Sequence, residues 1–336
     1  MNLHDDIELI RARIDEADTI AVFAHVRPDG DSVGSVLALG WALKDIGKKV
    51  EFVSEDPIPE HYQFLFRFME DGSDPFLRAP QKADCYILPD ISSIDRAGDF
   101  FQNHPGIRPD ICIDHHISNP GYAKLNWVEW KSPAACCILT ELMPRLGFRL
   151  TERISSALLC GIITDTNSFS NSNVTAGSLR NAADLVDNRA KIFTISQQAY
   201  KLHTRAEMEL WKLGMNNMHF EDNLVWSVFR KADRDAIGYI GDDDRGFVNY
   251  MGNTTGINAS VLFIELNENS TKISWRAVPG FDVSRIASAF GGGGHLAASG
   301  ATIRGKLDEI IPAVLTKTKA MLFQDHAATK EVSDEG

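Results

Sequence analysis

Ile111-Cys112-Ile113-Asp114-His115-His116 is a short apolar run that empties directly into one carboxylate and two imidazoles. A strand of this composition packs through its first three residues and has no packing use for the last three. In open α/β sheets ligands collect beyond the carboxyl ends of the strands, so these side chains mark such an edge. Working outward, the arrangement recurs. Thr19-Ile20-Ala21-Val22-Phe23 leads within a few residues to His25, Asp29 and Asp31, and the apolar run 83–88 ends in Pro89-Asp90. The segment 152–163 reads as a buried helix and runs into Thr164-Asp165-Thr166.

Between these exits the pattern alternates. Helical spacing at 5–16 precedes the first strand, and 36–46 reads as a helix of small and apolar residues closed by Gly47. That places His25, Asp29 and Asp31 in the loop before it, where backbone N–H groups favour anions. A strand at 49–54, a helix at 60–70, strands at 83–88 and 110–113, and helices at 133–146 and 152–163 follow. Strands separated by helices predict an α/β fold with a parallel sheet and helices on both faces. An amphipathic helix at 205–218 reads as a connector, followed by strand patterns at 224–229, 259–265 and 272–278, a helix at 283–290, and a final strand and helix. The expected organisation is a first domain over 1–200, a connecting helix at 201–218, a smaller α/β domain over 219–325 and a polar, fraying tail at 326–336. The active site is expected in the cleft between the domains.

With 336 residues the chain exceeds one typical core, and 44% hydrophobic content suffices for two. No run approaches the roughly 18 apolar residues of a membrane span, and the N-terminal stretch lacks an apolar signal core. A cytoplasmic protein is expected. Five cysteines lie in apolar surroundings without a CxxC pair, which predicts reduced core thiols rather than zinc ribbons or disulfides. Trp41 and Trp127 read as core residues. A net charge of -12 argues against a surface that tracks long nucleic acid, because such surfaces rely on many cation–phosphate contacts.

Singly, each polar residue at a strand exit has an ordinary explanation as a cap, a turn or a structural histidine. Together, His25, Asp29, Asp31, Asp90, Asp114, His115, His116 and Asp165 would converge on one edge, where unneutralised carboxylates repel one another. Divalent metal resolves that conflict. Carboxylate and imidazole donors without thiolate suit manganese, magnesium or zinc, and two ions about 3.5–4 Å apart can assist in-line displacement at phosphorus.

His25-x-x-x-Asp29-x-Asp31-x-x-Gly34-Ser35, Asp90, Asp114-His115-His116 and Thr164-Asp165-Thr166 together resemble the signature of the DHH phosphoesterase superfamily. Gly292-Gly293-Gly294-His295 with Ala298-Ser299-Gly300 resembles the glycine-rich motif of its DHH-associated C-terminal domain. The pair, spanning about residues 15 to 320, is similar to the subfamily of nanoRNases that also act as phosphatases on 3'-phosphoadenosine 5'-phosphate (pAp). The resemblance implies hydrolysis of oligoribonucleotides of two to five residues to 5'-mononucleotides, and of pAp to AMP. It also implies two divalent ions, manganese first, with magnesium and cobalt as alternatives. One would be bound by His25, Asp29 and Asp90, the other by Asp31, Asp90, His115 and Asp165. Asp90 would bridge, Asp114 would orient a histidine, and His116 would meet the scissile phosphate or protonate the leaving oxygen. Arg276, His295, Gly293, Gly294 and Arg96 would hold substrate. Three positions depart from the family pattern: Pro89 before Asp90, Ala277 in place of serine, and Asn167 in place of glycine. Short RNA oligonucleotides and nucleotide bisphosphates are the partners expected, with no long nucleic-acid platform, no membrane, and a homodimer admitted. Alternatives on the same core are a linear or cyclic dinucleotide phosphodiesterase, an exopolyphosphatase and a pyrophosphatase. An inactive nucleotide-binding regulator is the alternative outside catalysis.

Overall fold

The computed structural model describes residues 3–333 apart from 242 and 245, and the chain divides into two compact units, Met1–Leu202 and His203–Gly336. In the first unit the elements are α1 (Leu3–Glu16), β1 (Thr19–Phe23), α2 (Gly30–Asp45), β2 (Lys49–Val53), β3 (Phe76–Leu77), β4 (Cys85–Pro89), α3 (Phe100–Asn103), β5 (Ile111–Asp114), β6 (Leu125–Val128), α4 (Ala135–Arg145), α5 (Glu152–Asp165), α6 (Ala176–Asp187) and α7 (Ile192–Ser196). The sheet is parallel throughout, in the order β3-β2-β1-β4-β5-β6. The chain therefore winds outward from β1 in one direction, returns to β4 beside β1, and winds out in the other. The crevice at such a reversal is where doubly wound sheets bind ligands, and His25 and Asp90 follow the two strands that flank it.

Both faces of the sheet are buried, as the continuous apolar strands require. Along β1, Ile20 and Val22 enter the large core with α1, α2, α4 and α5, while Ala21 and Phe23 enter a smaller core with Leu88, Ala97 and Phe101. Among the described residues the second face is covered by the short helix α3, a 3-10 turn at Ile94–Ala97 and loops. All five cysteines are buried and free, and Trp41 and Trp127 belong to the core.

Two local expectations are corrected. α2 begins at Gly30, so Asp31 lies in its first turn rather than in a loop: Asp29 Oδ1 accepts from the Asp31 and Ser32 amides, both at 3.0 Å. An aspartate cap outweighs the weak helix propensity of Gly30-Asp31-Ser32. Glu60–Phe68 forms a 3-10 rather than an α-helix, and its buried Tyr62 and Leu65 are spaced by the three-residue turn of that helix.

A charge network around one buried carboxylate anchors the sheet at the end away from the acidic cluster. Asp110, 1% exposed, accepts from Arg13 Nε at 2.8 Å, Lys124 Nζ at 2.9 Å and the Tyr86 amide at 2.9 Å. Burial works against the carboxylate, but Arg13, Lys124 and the amide more than offset it and hold its pKa below the usual range. Asp110→Asn is expected to cost about 2 kcal/mol at neutral pH. A carboxyl lowered on folding adds stability above its unfolded pKa of about 3.9 and loses it as pH falls through the folded value. Urea titrations should therefore show the gap between wild type and variant narrowing from pH 5 to pH 3.

The second unit contains α8 (Arg205–Asn216), β7 (His219–Glu221), β8 (Leu224–Phe229), α9 (Lys231–Ala236), α10 (Phe247–Gly252), β9 (Ala259–Asn267), β10 (Ser270–Ala277), α11 (Val283–Ser288), β11 (Gly293–His295), β12 (Ala298–Arg304) and α12 (Leu307–Ser333). Its sheet runs β11-β12-β10-β9-β8-β7, antiparallel except for the β8–β9 pair. α8, read from the sequence as a connector, packs Leu210 into this unit's core with Val225 and Phe247. α12 continues through 326–333 of the expected tail, and 334–336 lie outside the described residues. Among the described residues no helix is long and apolar enough to cross a membrane.

Candidate metal centre

Each side chain of the first unit's cluster is delivered by a named element end. β1 supplies His25, the cap and first turn of α2 supply Asp29 and Asp31, β4 supplies Asp90, β5 supplies Asp114, His115 and His116, and α5 ends on Asp165. They form three overlapping groups of compact donor atoms: His25, Asp29 and Asp90; Asp31, His115 and Asp165; and Asp90, His115 and His116. Asp90 links them, because its Oδ2 lies 3.5 Å from His25 Nε2 and its Oδ1 3.4 Å from His115 Nε2. On the outer sides, His25 Nε2 is 3.5 Å from Asp29 Oδ2, and His115 Nε2 is 3.4 Å from Asp165 Oδ2 and 3.9 Å from Asp31 Oδ2.

Asp90 holds this place in a strained backbone. Its φ is +56°, in the left-handed region that costs a non-glycine residue about 1 kcal/mol and that aspartate tolerates better than most. Such conformations cluster at functional sites. The turn aims a 2%-exposed carboxylate into the cluster, and its Oδ1 is buried with no hydrogen-bond partner among the described residues.

The histidine rings are set from behind. His115 Nδ1 is 3.2 Å from the Ser132 carbonyl, and His25 Nδ1 is 2.9 Å from the Val26 carbonyl. Donation to these carbonyls turns both Nε2 atoms toward the carboxylates, where each can carry a proton or offer its lone pair to an ion, the usual way a protein fixes an imidazole ligand. Arg96 Nη2 lies 3.1 Å from His25 Nδ1, so this guanidinium lies beside the His25 ring. His116 Nδ1 donates to Asp114 Oδ1 at 2.8 Å, and Asp114 also accepts from the His115 amide at 2.9 Å and from Asn119 Nδ2 at 2.6 Å. Asp114 is thus a fully engaged carboxylate that orients His116. Asp31 is held by another helix: its Oδ2 accepts from the Ala135 amide at 2.6 Å and its Oδ1 from the Cys136 amide at 2.9 Å, capping α4, whose own cap residue Ala134 has no side chain to do so.

The electrostatics fit a cation. Burial works against charge on the His25 imidazole, but Asp29 and Asp90 more than offset it and push its pKa up to about 10. Burial, reinforced by Asp90, pushes the Asp31 carboxyl up to about 7, and loss of water together with Asp31 and Asp29 pushes Asp165 well above its ordinary value. Asp90 goes the other way, because His115 and His25 offset its burial. Four carboxylates and two imidazoles at these distances must share protons or bind a cation in their place. The orphaned Asp90 oxygen and the donor set of oxygen and imidazole nitrogen fit divalent metal.

In the second unit, backbone pairing places His295, Ala298, Arg276, Ser260 and Val225 in one row across five strands. Directly paired residues share a face, so His295 and Arg276 stand on the same side with only the Ala298 methyl between them. The glycine run is not a loop throughout. Gly294 belongs to β11, and a Cβ there would lie 2.6 Å from the Ala298 carbonyl oxygen and 2.7 Å from Ser299 Cα, so glycine is required by the close approach of β12. Gly293 meets no such restriction. Sequence reading gave no role to Asn119, Ser132, the α4 amides or Asn249, which contacts Arg276. None of these sits at a strand exit, and only the Asn119-Pro120-Gly121 turn carried any local signal.

A parallel sheet that converges carboxylates and imidazoles on its reversal point suits divalent metal and hydrolysis at phosphorus, and the family comparisons show the phosphoesterase class. The family model for the DHH family, N-terminal domain, matches residues 19–162, and that for the DHHA1 domain matches 232–320. The chain belongs to the DHH family of phosphoesterases, hydrolases of phosphoester bonds. It is 31% identical over 311 residues to the bifunctional oligoribonuclease and PAP phosphatase NrnA of Thermus thermophilus, covering 90% of each chain. Identity to the Bacillus subtilis protein of the same name is 29% over 304 residues, with 88% of this chain and 92% of that one covered. Among solved structures, an exopolyphosphatase-related protein from Bacteroides fragilis superimposes with a TM-score of 0.85 at 23% identity over 97% of this chain and 98% of its own.

Proposed function

We propose that this chain hydrolyses oligoribonucleotides of two to five residues to 5'-mononucleotides and converts pAp to AMP and phosphate. The observation that carries the reading is the position of Asp90, whose two oxygens face two separate histidine–carboxylate groups. His25, Asp29 and Asp90 would hold one divalent ion, and Asp31, Asp90, His115 and Asp165 a second, with manganese the fitting metal for a set dominated by oxygen donors. Ions held there supply Lewis acidity, making an attacking water acidic near neutral pH and offsetting charge on the phosphate oxygens.

Both reactions break the same bond, between phosphorus and the substrate's 3'-oxygen, and deliver one proton to that oxygen. His116 would make the delivery: with Nδ1 donating to Asp114, its Nε2 is the nitrogen free to hand a proton to the leaving oxygen, and the Asp114 carboxylate would steady the ring as it does so. Arg276, His295, Gly293 and Gly294 hold the remainder of the substrate, with Arg276 offering a planar fork to a phosphate, while Arg96 bears on phosphate from the His25 side. The enzyme would work in the cytoplasm, where its buried thiols stay reduced.

The test is product release, with manganese added, from a ribodinucleotide, pAp, cyclic di-AMP, pyrophosphate and polyphosphate. Turnover of the first two is expected, falling below about 1% after chelation and returning with manganese. Turnover of pyrophosphate or polyphosphate alone would overturn the nucleotide reading.

A further inference from the structure

Arg276, partly buried on β10, is held by neutral groups. Its Nε donates to Asn249 Oδ1 at 2.7 Å and its Nη1 to the Trp275 carbonyl at 2.9 Å. Both partners are neutral, and among the described residues no carboxylate pairs with it. Loss of water depresses its pKa, with Asp244 acting in the opposite direction. A partly buried cation with no paired carboxylate among the described residues loses part of its hydration without recovering it. The cost is met when an anion arrives, and the two bonds leave the other guanidinium N–H groups for it.

Asn249 comes from α10, which packs on the same face of the sheet: Ser260, next to Arg276 in the row of paired residues, donates its hydroxyl to the Val248 carbonyl at 2.8 Å. The register of helix and sheet therefore fixes the amide oxygen against Nε. A carboxylate at that position would make the same bond and cancel the charge.

We propose that Asn249 is the positioning residue for substrate phosphate, orienting the Arg276 fork through a neutral acceptor so that the full positive charge is kept for the ligand. The inference rests on the phosphate role given above to Arg276.

The experiment is steady-state kinetics on pAp with manganese for Asn249→Asp, Asn249→Ala, Arg276→Gln and the double variant that combines Asn249→Asp with Arg276→Gln. N249D should raise KM about tenfold and change kcat less than about twofold, whereas N249A should raise KM only about threefold. R276Q should raise KM further, and adding N249D to it should have no additional effect, since coupled residues are non-additive. Asparagine occupies the third residue of α10, where an acidic side chain suits the helix dipole, so N249D is expected to fold; thermal melts check this, and the N249A/R276Q cycle serves if it does not. A merely structural asparagine would suffer more from truncation than from the isosteric aspartate, so an N249A defect equal to or larger than that of N249D overturns the proposal, as does an additive double variant. If R276Q leaves KM unchanged, the phosphate role of Arg276 falls and this proposal with it, while the metal-centre reading stands.

Discussion

Asp90→Asn is expected to lower kcat/KM at least about a thousandfold, the scale on which members of one catalytic unit act, while leaving the fold intact. Asparagine tolerates the left-handed backbone that this turn imposes, so the peptide geometry at φ +56° survives. The charge does not. One of the two oxygens that face His25 and His115 becomes an amide group with hydrogens directed at ring nitrogens or at a bound cation. Manganese titration by calorimetry should show weakened or lost binding alongside unchanged circular dichroism. Turnover within tenfold of wild type would remove Asp90 from the centre.

Gly161→Ala should lower stability by about 2 kcal/mol and kcat by about a hundredfold. Helix propensity alone predicts the opposite sign, because alanine in a helix interior is favoured over glycine by about 1 kcal/mol. The contact decides. A Cβ at Gly161, in α5, would lie 2.7 Å from Asp31 Oδ1 and 3.0 Å from Asp31 Cα, and closer still to Cys136 Sγ. Asp31 is tied to the α4 amides and cannot yield alone, so the helix pair must separate, and a displacement of about 1 Å at a reacting geometry costs on the order of a hundredfold. A variant more stable than wild type with full turnover would show that α2 and α5 have slack at this crossing.

The first unit's parallel sheet was legible because β1, β4 and β5 are continuous apolar runs that stop at polar residues, and stopping points on parallel strands share an edge. That is why His25, Asp90 and His115 could be placed together from the sequence. β3, with two residues, and β6, whose Leu125-Asn126-Trp127-Val128 carries one polar residue, gave no such signal and were missed. The helical reading of 60–70 failed for a different reason: spacings of three fit a 3-10 and an α-helix alike over two turns. In the second unit the glycine run hid a strand, because β11 takes its place through pairing with β12 and not through any propensity of its own. The Asn249–Arg276 bond joins residues 27 apart, across a helix and two strands, and no local pattern encodes it.

The capping of α4 by Asp31 has a consequence for how mutants of this site are interpreted. A helix that loses its capping group costs about 1 kcal/mol, and here the cap is also a member of the candidate metal centre. Inactivity in an Asp31 variant therefore has two origins in one side chain, a missing donor and a loosened α4. The Asp165 carboxylate, which faces His115 at 3.4 Å, caps no helix among the described residues. Asp165 is the position at which a lost donor can be separated from a lost helix, and the difference in unfolding free energy between the two alanine variants measures what the cap contributes.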